Sequence, residues 1–271
     1  MGRIDRVPTG RGLVPGAAGF ESLGGRPVER CLKMFNREVH MSRFMTALAS
    51  AALLIGLASA AQAANWVSGK HYSVIPQAQR TNVAPGKVEV MEVFSYGCPA
   101  CNHFRPAMKK LKAALPANAQ LVYLPASWNA AENWPMFQRA YLTAQSLGVA
   151  EKAHDAMFDA IWTTGELAIL DPQTNRLKSK LPTIEDIARF YQRVTGVKAA
   201  DFVATSKSFG VDLKMRQADS QISAMKVPST PTLVVNGKYR VNNENLSNAD
   251  EIIDLVKFLV AKESTAAPKK S

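Results

Sequence analysis

The segment VFSYGCPACNHF, Val93 to Phe104, sets Cys98 and Cys101 three positions apart with Pro99 and Ala100 between them. That spacing suits four chemistries: a zinc half-site, a haem anchor, a structural disulfide and a working dithiol. Zinc needs about four ligands, usually two such pairs or added histidines at set spacings. Here one pair stands alone, with His103 two residues on and His71 and His154 far off in sequence. No metal is therefore expected. Covalent haem attachment needs His directly after the second Cys, and Asn102 occupies that place. A clip between residues three apart closes a very short loop. It removes little unfolded-chain entropy and so makes a weak staple. That clip stays open beside the dithiol.

A dithiol works when one sulfur is held as a thiolate, and the flanking elements supply the means. KVEVMEVFSY, 87–96, is β-rich and mostly apolar, as a buried central strand would be. Over 99–115, Phe104, Met108, Leu111 and Leu115 recur at spacings of three and four, which predicts a helix. Pro106 predicts a kink in it, and Pro116 stops it. Cys98 thus falls where strand passes into helix. The first N–H groups of a helix lack internal partners, and its dipole puts partial positive charge there. Both favour a thiolate at Cys98. Pro99 suits the first turn, where its missing N–H costs nothing. Cys101, one turn along, points its sulfur at the same place. AQLVYLP, 119–125, reads as a second strand, which completes a βαβ unit. Cys-X-X-Cys beside such a unit is the thioredoxin-like redox pattern.

The remaining chain frames this unit. HYSVI, 71–75, reads as a short strand before the Pro85-Gly86 turn. From 126 to 225 the pattern is helical, with stops at Gly148 and Gly165 and a capping-box pair, Thr183 and Asp186. TLVVNGKYRV, 232–241, places Asn236-Gly237 between two β-runs, a strong hairpin signal. NADEIIDLVKFLVAK, 248–262, is an amphipathic helix capped near Asn248 or Asp250, and ESTAAPKKS reads as a frayed tail. The expected fold class is α/β, a thioredoxin fold with an inserted helical subdomain. Its parts are 64–125 and 226–262, with the insert at 126–225 and a flexible tail at 263–271. Trp128, Trp134, Tyr141, Phe158, Trp162, Phe190 and Tyr191 sit at helical spacings in or near the insert, and most are expected in the core.

The chain has 271 residues and a formal net charge of +11. From Met41, MSRFMTALASAALLIGLASAAQAAN has a positive start at Arg43, an apolar run from Ala47 to Ala60, and small residues at Ala61-Gln62-Ala63. This is the layout of a cleaved secretory leader over 41–63; its apolar run is shorter than a membrane span needs, and an uncleaved anchor stays as the alternative. Residues 1–40 are Gly-, Pro- and Arg-rich without periodicity; they read as an over-extended or disordered start, with Met1, Met34 and Met41 all open as the true one. Cys31 lies in that stretch and is expected to be absent from the working protein. Removing residues 1–63 takes away eight Lys/Arg and four Asp/Glu, which leaves 25 basic against 18 acidic groups, or +7. The remaining basic residues are interspersed with acids. That speaks for a solvated mixed surface and against a nucleic-acid partner.

In EVMEVFSYGCPACNHF, the helical insert and VPSTPTLVVNGKYRV, in that order behind a leader, the chain resembles the DsbA family of secreted thiol–disulfide oxidoreductases. The resemblance runs from about His71 to Lys262. It implies that Cys98 is the attacking cysteine and Cys101 the resolving one, joined as a disulfide in the oxidised protein. It implies that Pro231 is a cis-proline and that Thr230, just before it, lies beside the disulfide and pairs with bound peptide. Pro99 and Ala100 would complete the surface that meets substrate. Glu92 would be the buried acid beneath the disulfide that helps proton transfer at Cys101. Two departures stand out. Ala100 replaces a histidine that helps stabilise the thiolate in well-known members, so Cys98 should be less acidic than theirs. A family lysine on the strand after the active-site helix is replaced near Tyr123.

The function implied is that of a periplasmic dithiol oxidase. It would donate the Cys98–Cys101 disulfide to reduced, newly exported proteins without metal or organic cofactor. A quinone-linked membrane oxidase of the DsbB type would re-oxidise it, and the mature protein would not span the membrane. Two alternatives stay beside it. One is a reductase or isomerase of the same fold, although only Asn65 to Lys87 precedes the core strand, which is short for an isomerase's dimerisation domain. The other is a non-catalytic binding or chaperone protein with a structural clip.

Overall fold

The computed structural model describes residues 65–266, which fall within one compact unit. The expected leader and Cys31 lie outside the described residues. In chain order the elements are β1 Tyr72–Val74, β2 Val88–Phe94, α1 Pro99–Ala114 and β3 Ala119–Pro125. Five helices follow: α2 Trp134–Ser146, α3 Ala150–Trp162, α4 Ile184–Thr195, α5 Ala199–Ser206 and α6 Phe209–Ala224. The chain ends with β4 Thr232–Val235, β5 Tyr239–Val241, a 3₁₀ turn Asn243–Asn245 and α7 Ala249–Ala266. The sheet order is β1-β5-β4-β2-β3, with β2 and β3 parallel and the other pairs antiparallel. This is the expected thioredoxin fold with helices inserted between β3 and β4.

All seven residues of β2 are buried; five are apolar, and two, Glu89 and Glu92, are carboxylates. Alternate side chains point to opposite sides. Val88 and Val90 join Met108 and Leu111 of α1 and Leu255, Val256 and Leu259 of α7 in one core cluster. Met91 and Val93 belong to a second cluster, shared with the helices of the insert. Each buried Leu or Val contributes about 1.5–3 kcal/mol. The two clusters clamp β2 between them, and its C-terminal end is thereby fixed in space. Arg105 of α1 ties the insert to this frame: its guanidinium donates to the Asp159 carboxylate at 2.8 Å and lies over the Phe158 ring.

Local signals in the sequence turn into geometry. Thr183 and Asp186 form the reciprocal capping box at the start of α4, and Gly196 closes that helix at φ 87°. Asn236 and Gly237 both take positive φ, as a tight two-residue hairpin requires. Gly237 has a second constraint, since a Cβ there would lie 2.3 Å from the Gln79 carbonyl oxygen. Pro106 does not end α1, which runs on to Ala114. Asn248 caps α7, its Oδ1 accepting from the N–H groups of Asp250 and Glu251.

One expectation needs correction. The tail expected to fray from Glu263 instead continues α7 to Ala266. The cause is Glu263 itself, which is buried and accepts from the side chains of Asn236, Lys238 and Tyr239 in the hairpin. Most of the seven aromatics expected in the core are there: five are buried, while Trp128 is 46% exposed and Trp162 half-buried.

Candidate active site

The C-terminal end of β2 delivers the chain to Ser95, where a tight turn begins. Cys98 N–H donates to the Ser95 carbonyl at 3.1 Å, and Gly97 N–H donates to Ser95 Oγ at 3.2 Å. Gly97 has no room for a side chain, because a Cβ would lie 2.7 Å from Trp134 Cδ1. The chain then enters α1 with Cys98 as N-cap, in extended backbone, and Pro99 within the first turn. An N-cap side chain normally accepts a hydrogen bond from an early helix N–H. Here the acceptor is sulfur: Cys98 Sγ takes the Cys101 N–H at 3.3 Å.

From the other side, the loop before β4 brings Thr230 within reach, with 3.6 Å between Cys98 Sγ and the Thr230 carbonyl oxygen. The Thr230–Pro231 peptide bond is cis. Both cysteines are free thiols, and their exposure differs: Cys98 keeps 5% of its surface open and Cys101 only 1%. An incoming group therefore meets Cys98 first. Pro99 and Ala100 are exposed beside it.

The electrostatics separate the two sulfurs. The Cys101 thiol donating to Cys98 pulls the Cys98 pKa down to about 6, against the opposing cost of burial, with Thr230 and the N–H groups of Cys101 and Ala100 adding to the shift. Burial pushes Cys101 far up, and its donation to Cys98 and the nearby negative charges hold it there. Glu92, 3% exposed, is raised to about 8 by burial and then by the Cys98 charge. Its strand neighbours are Leu233 on β4 and Tyr123 on β3. A cavity of about 240 Å³ reaches Glu92 between α1 and α3, walled by Met108, Tyr123, His154 and Phe158, with Lys112 and Glu151 also lining it.

The sequence reading missed His154 as part of this environment. It is buried, stacks on Tyr123 with ring centroids 4.1 Å apart, and pairs Nδ1 with the Tyr96 hydroxyl at 3.1 Å. Burial lowers its pKa to about 4, so the ring is neutral at physiological pH. Two neutral rings thus occupy the region of Tyr123, where the sequence reading has the family lysine replaced. His103, by contrast, lies exposed on α1. Among the described residues no group of three His, Cys, Asp or Glu side chains converges as metal ligands would. A larger hollow of about 440 Å³ lies against β3 and α6 and includes neither cysteine in its lining.

A cysteine pair at the N-terminus of the helix that follows a buried interior strand of a thioredoxin fold defines a protein thiol–disulfide oxidoreductase. A thioredoxin family model matches residues 84–255. The thiol:disulfide interchange protein DsbA of Pseudomonas aeruginosa is 35% identical over 229 residues, covering 83% of this chain and 98% of that protein. DsbA of Pseudomonas syringae pv. tomato is 34% identical over 218 residues, covering 80% and 93%. The chain belongs to the DsbA family of thiol:disulfide interchange proteins. Solved structures agree. The crystal structure of P. aeruginosa DsbA superposes with a TM-score of 0.62 at 33% identity, covering 75% of this chain and 97% of that one. The Xylella fastidiosa oxidoreductase DsbA gives 0.64 at 30% identity, covering 74% and 98%. Among the described residues no helix is long and apolar enough to cross a membrane.

Proposed function

We propose that this protein is a dithiol oxidase that donates a Cys98–Cys101 disulfide to reduced, newly exported proteins in the periplasm. The observation that carries the reading is the Cys98 sulfur at a helix N-cap, accepting the Cys101 N–H and stabilised as a thiolate. A substrate thiolate attacks Cys98 Sγ, the Cys98–Cys101 bond breaks, and Cys101 leaves as a thiolate. Burial makes that thiolate unstable, so it takes up a proton. Glu92, with a pKa near 8 and a cavity reaching it, is placed to supply one. A second substrate thiolate then attacks the substrate sulfur of the mixed disulfide. Cys98 departs as the better leaving group because its pKa is low. The substrate has lost two electrons and the protein holds two cysteines in reduced form.

Substrate would lie against Thr230 and Pro231, with Pro99 and Ala100 at the opening. The chemistry needs no metal or organic cofactor, only a partner to restore the disulfide. The family resemblance supports a quinone-linked membrane oxidase of the DsbB type.

Equilibration of the Cys98–Cys101 couple with glutathione tests the direction of transfer. An oxidase should lie at about −180 mV or above, and a value near about −270 mV would make the protein a reductase. Cys98→Ser should abolish oxidation of a reduced dithiol peptide, whereas Cys101→Ser, offered the oxidised peptide, should be captured as a mixed disulfide: Cys98 attacks the peptide disulfide, the other peptide sulfur leaves as a thiolate, and no second protein thiol remains to resolve the product. Unchanged oxidation in Cys98→Ser would reduce the pair to a structural clip.

A further inference from the structure

After β5 the chain reads Asn242-Asn243-Glu244-Asn245, three asparagines in four residues. Asparagine suits turns because its amide can bond nearby backbone. Here the amides reach across the fold instead. Asn242 and Asn245 both donate to the Lys70 carbonyl, at 3.0 and 2.8 Å. Asn243 turns the other way and donates its Nδ2 to the Pro231 carbonyl at 3.0 Å. Its Oδ1 is buried and has no hydrogen-bond partner. A carbonyl oxygen only accepts, so Pro231 fixes which end of the amide faces it. The buried, unpaired oxygen is the consequence of that choice.

The Pro231 carbonyl is one peptide unit from Thr230, whose own carbonyl lies 3.6 Å from Cys98 Sγ. On the far side, Thr232 Oγ1 donates to the Ser229 carbonyl at 2.7 Å and Thr232 pairs with Val93 in the sheet. The segment is thus pinned beyond Thr230 by the sheet and by Asn243. We propose that Asn243 is a positioning residue for disulfide exchange: its hydrogen bond to Pro231 holds the Thr230 backbone against Cys98 and in place for the incoming polypeptide. The substrate half of this assignment rests on the oxidase reading above; the Cys98 half does not.

The test compares Asn243→Ala with Asn245→Ala, which removes an amide from the same turn but from the Lys70 carbonyl. Two readings are taken on the full chain: the thiolate absorbance titration of Cys98 in the reduced protein, and KM and kcat for oxidation of a reduced dithiol peptide. Asn243→Ala should raise the Cys98 pKa by about half a unit, because loosening Thr230 weakens the side-chain hydrogen bond by which Thr230 lowers it. It should raise KM about fivefold, the scale of one neutral hydrogen bond, with a smaller change in kcat. Asn245→Ala should leave both at wild-type values. Should Asn243→Ala not fold, Asn243→Gln keeps a polar head that overshoots Pro231 and should shift both readings the same way. Wild-type titration and KM in the Asn243 variant, or equal shifts in Asn245→Ala, would overturn the assignment. A wild-type protein that fails to oxidise the peptide would sink the oxidase reading instead, and the titration would still decide whether Asn243 positions Thr230.

Discussion

Two sulfurs of the same residue type, one helical turn apart, end with opposite preferences because one caps the helix among hydrogen-bond donors and the other is buried in its first turn. The preference of Cys98 is set by local donors, so it should respond to a charge placed beside it. Ala100 is exposed next to Cys98. Ala100→His would bring a protonatable ring there, and absorbance titration should find the Cys98 pKa about one unit below its wild-type value near 6. Glu92 offers the opposite sign. Its pKa is raised from 4.5 to about 8, so its neutral form is favoured by the fold. That contribution is complete below pH 4.5 and is lost as pH rises through 8. Glu92→Gln cannot ionise, and denaturation at about pH 9 should find it more stable than wild type by on the order of 3–5 kcal/mol, with little gain at about pH 4. At this scale the cysteine pair was legible, because spacing and a strand-to-helix junction are local. Thr230 and Pro231 came only through family resemblance, since nothing local separates them from an ordinary loop. Asn243 and His154 were not legible. Their partners lie 12 and 58 residues away, at Pro231 and Tyr96, and only folding brings them together.

Among the elements, those whose ends are set by neighbouring residues were read closely. β3 was expected at 119–125 and lies there, held in register with β2 from Val88–Ala119 to Phe94–Pro125. The hairpin followed from Asn236-Gly237, and α4 from its capping box. α7 differs because its end is decided by tertiary contact. A polar C-terminal run looks like a tail until Glu263 is seen under the hairpin, where burial alone would raise its pKa and Lys238, Asn236 and Tyr239 outweigh that and lower it. Glu263 thus joins the last turns of α7 to the strands that follow Pro231. Glu263→Ala would leave those three groups without their shared acceptor. Chemical denaturation should show a loss of about 2–3 kcal/mol, below the range for a fully buried pair because Lys238 is 42% exposed. Amide exchange should rise first in β5 and the end of α7. A loss confined to the helix terminus, with the hairpin still protected, would mean that the hairpin holds without it.

For the whole molecule, the thiolate couples redox state to stability. In the reduced protein the Cys98 pKa falls from 9.0 to about 6, and in the oxidised protein that group does not titrate. A depressed pKa contributes stability that is present above the unfolded value and is lost as pH falls through the folded one. The reduced form should therefore gain on the oxidised form as pH rises from about 5 to about 8. The gain is near zero at about pH 5, about 1 kcal/mol at about pH 7 and about 2–3 kcal/mol at about pH 8. The burial of Glu92 acts in both redox states and drops out of the difference. Its repulsion by the thiolate remains in the reduced form alone and trims the gain. Glu92→Gln removes that repulsion, so its reduced-minus-oxidised difference at about pH 8 should exceed that of the wild type. Paired denaturation curves of reduced and oxidised protein across that pH range measure the slope directly. A flat difference would mean that the donors around Cys98, the Cys101 thiol first among them, do not hold it as a thiolate, and would remove the thermodynamic bias that the proposed oxidase activity needs.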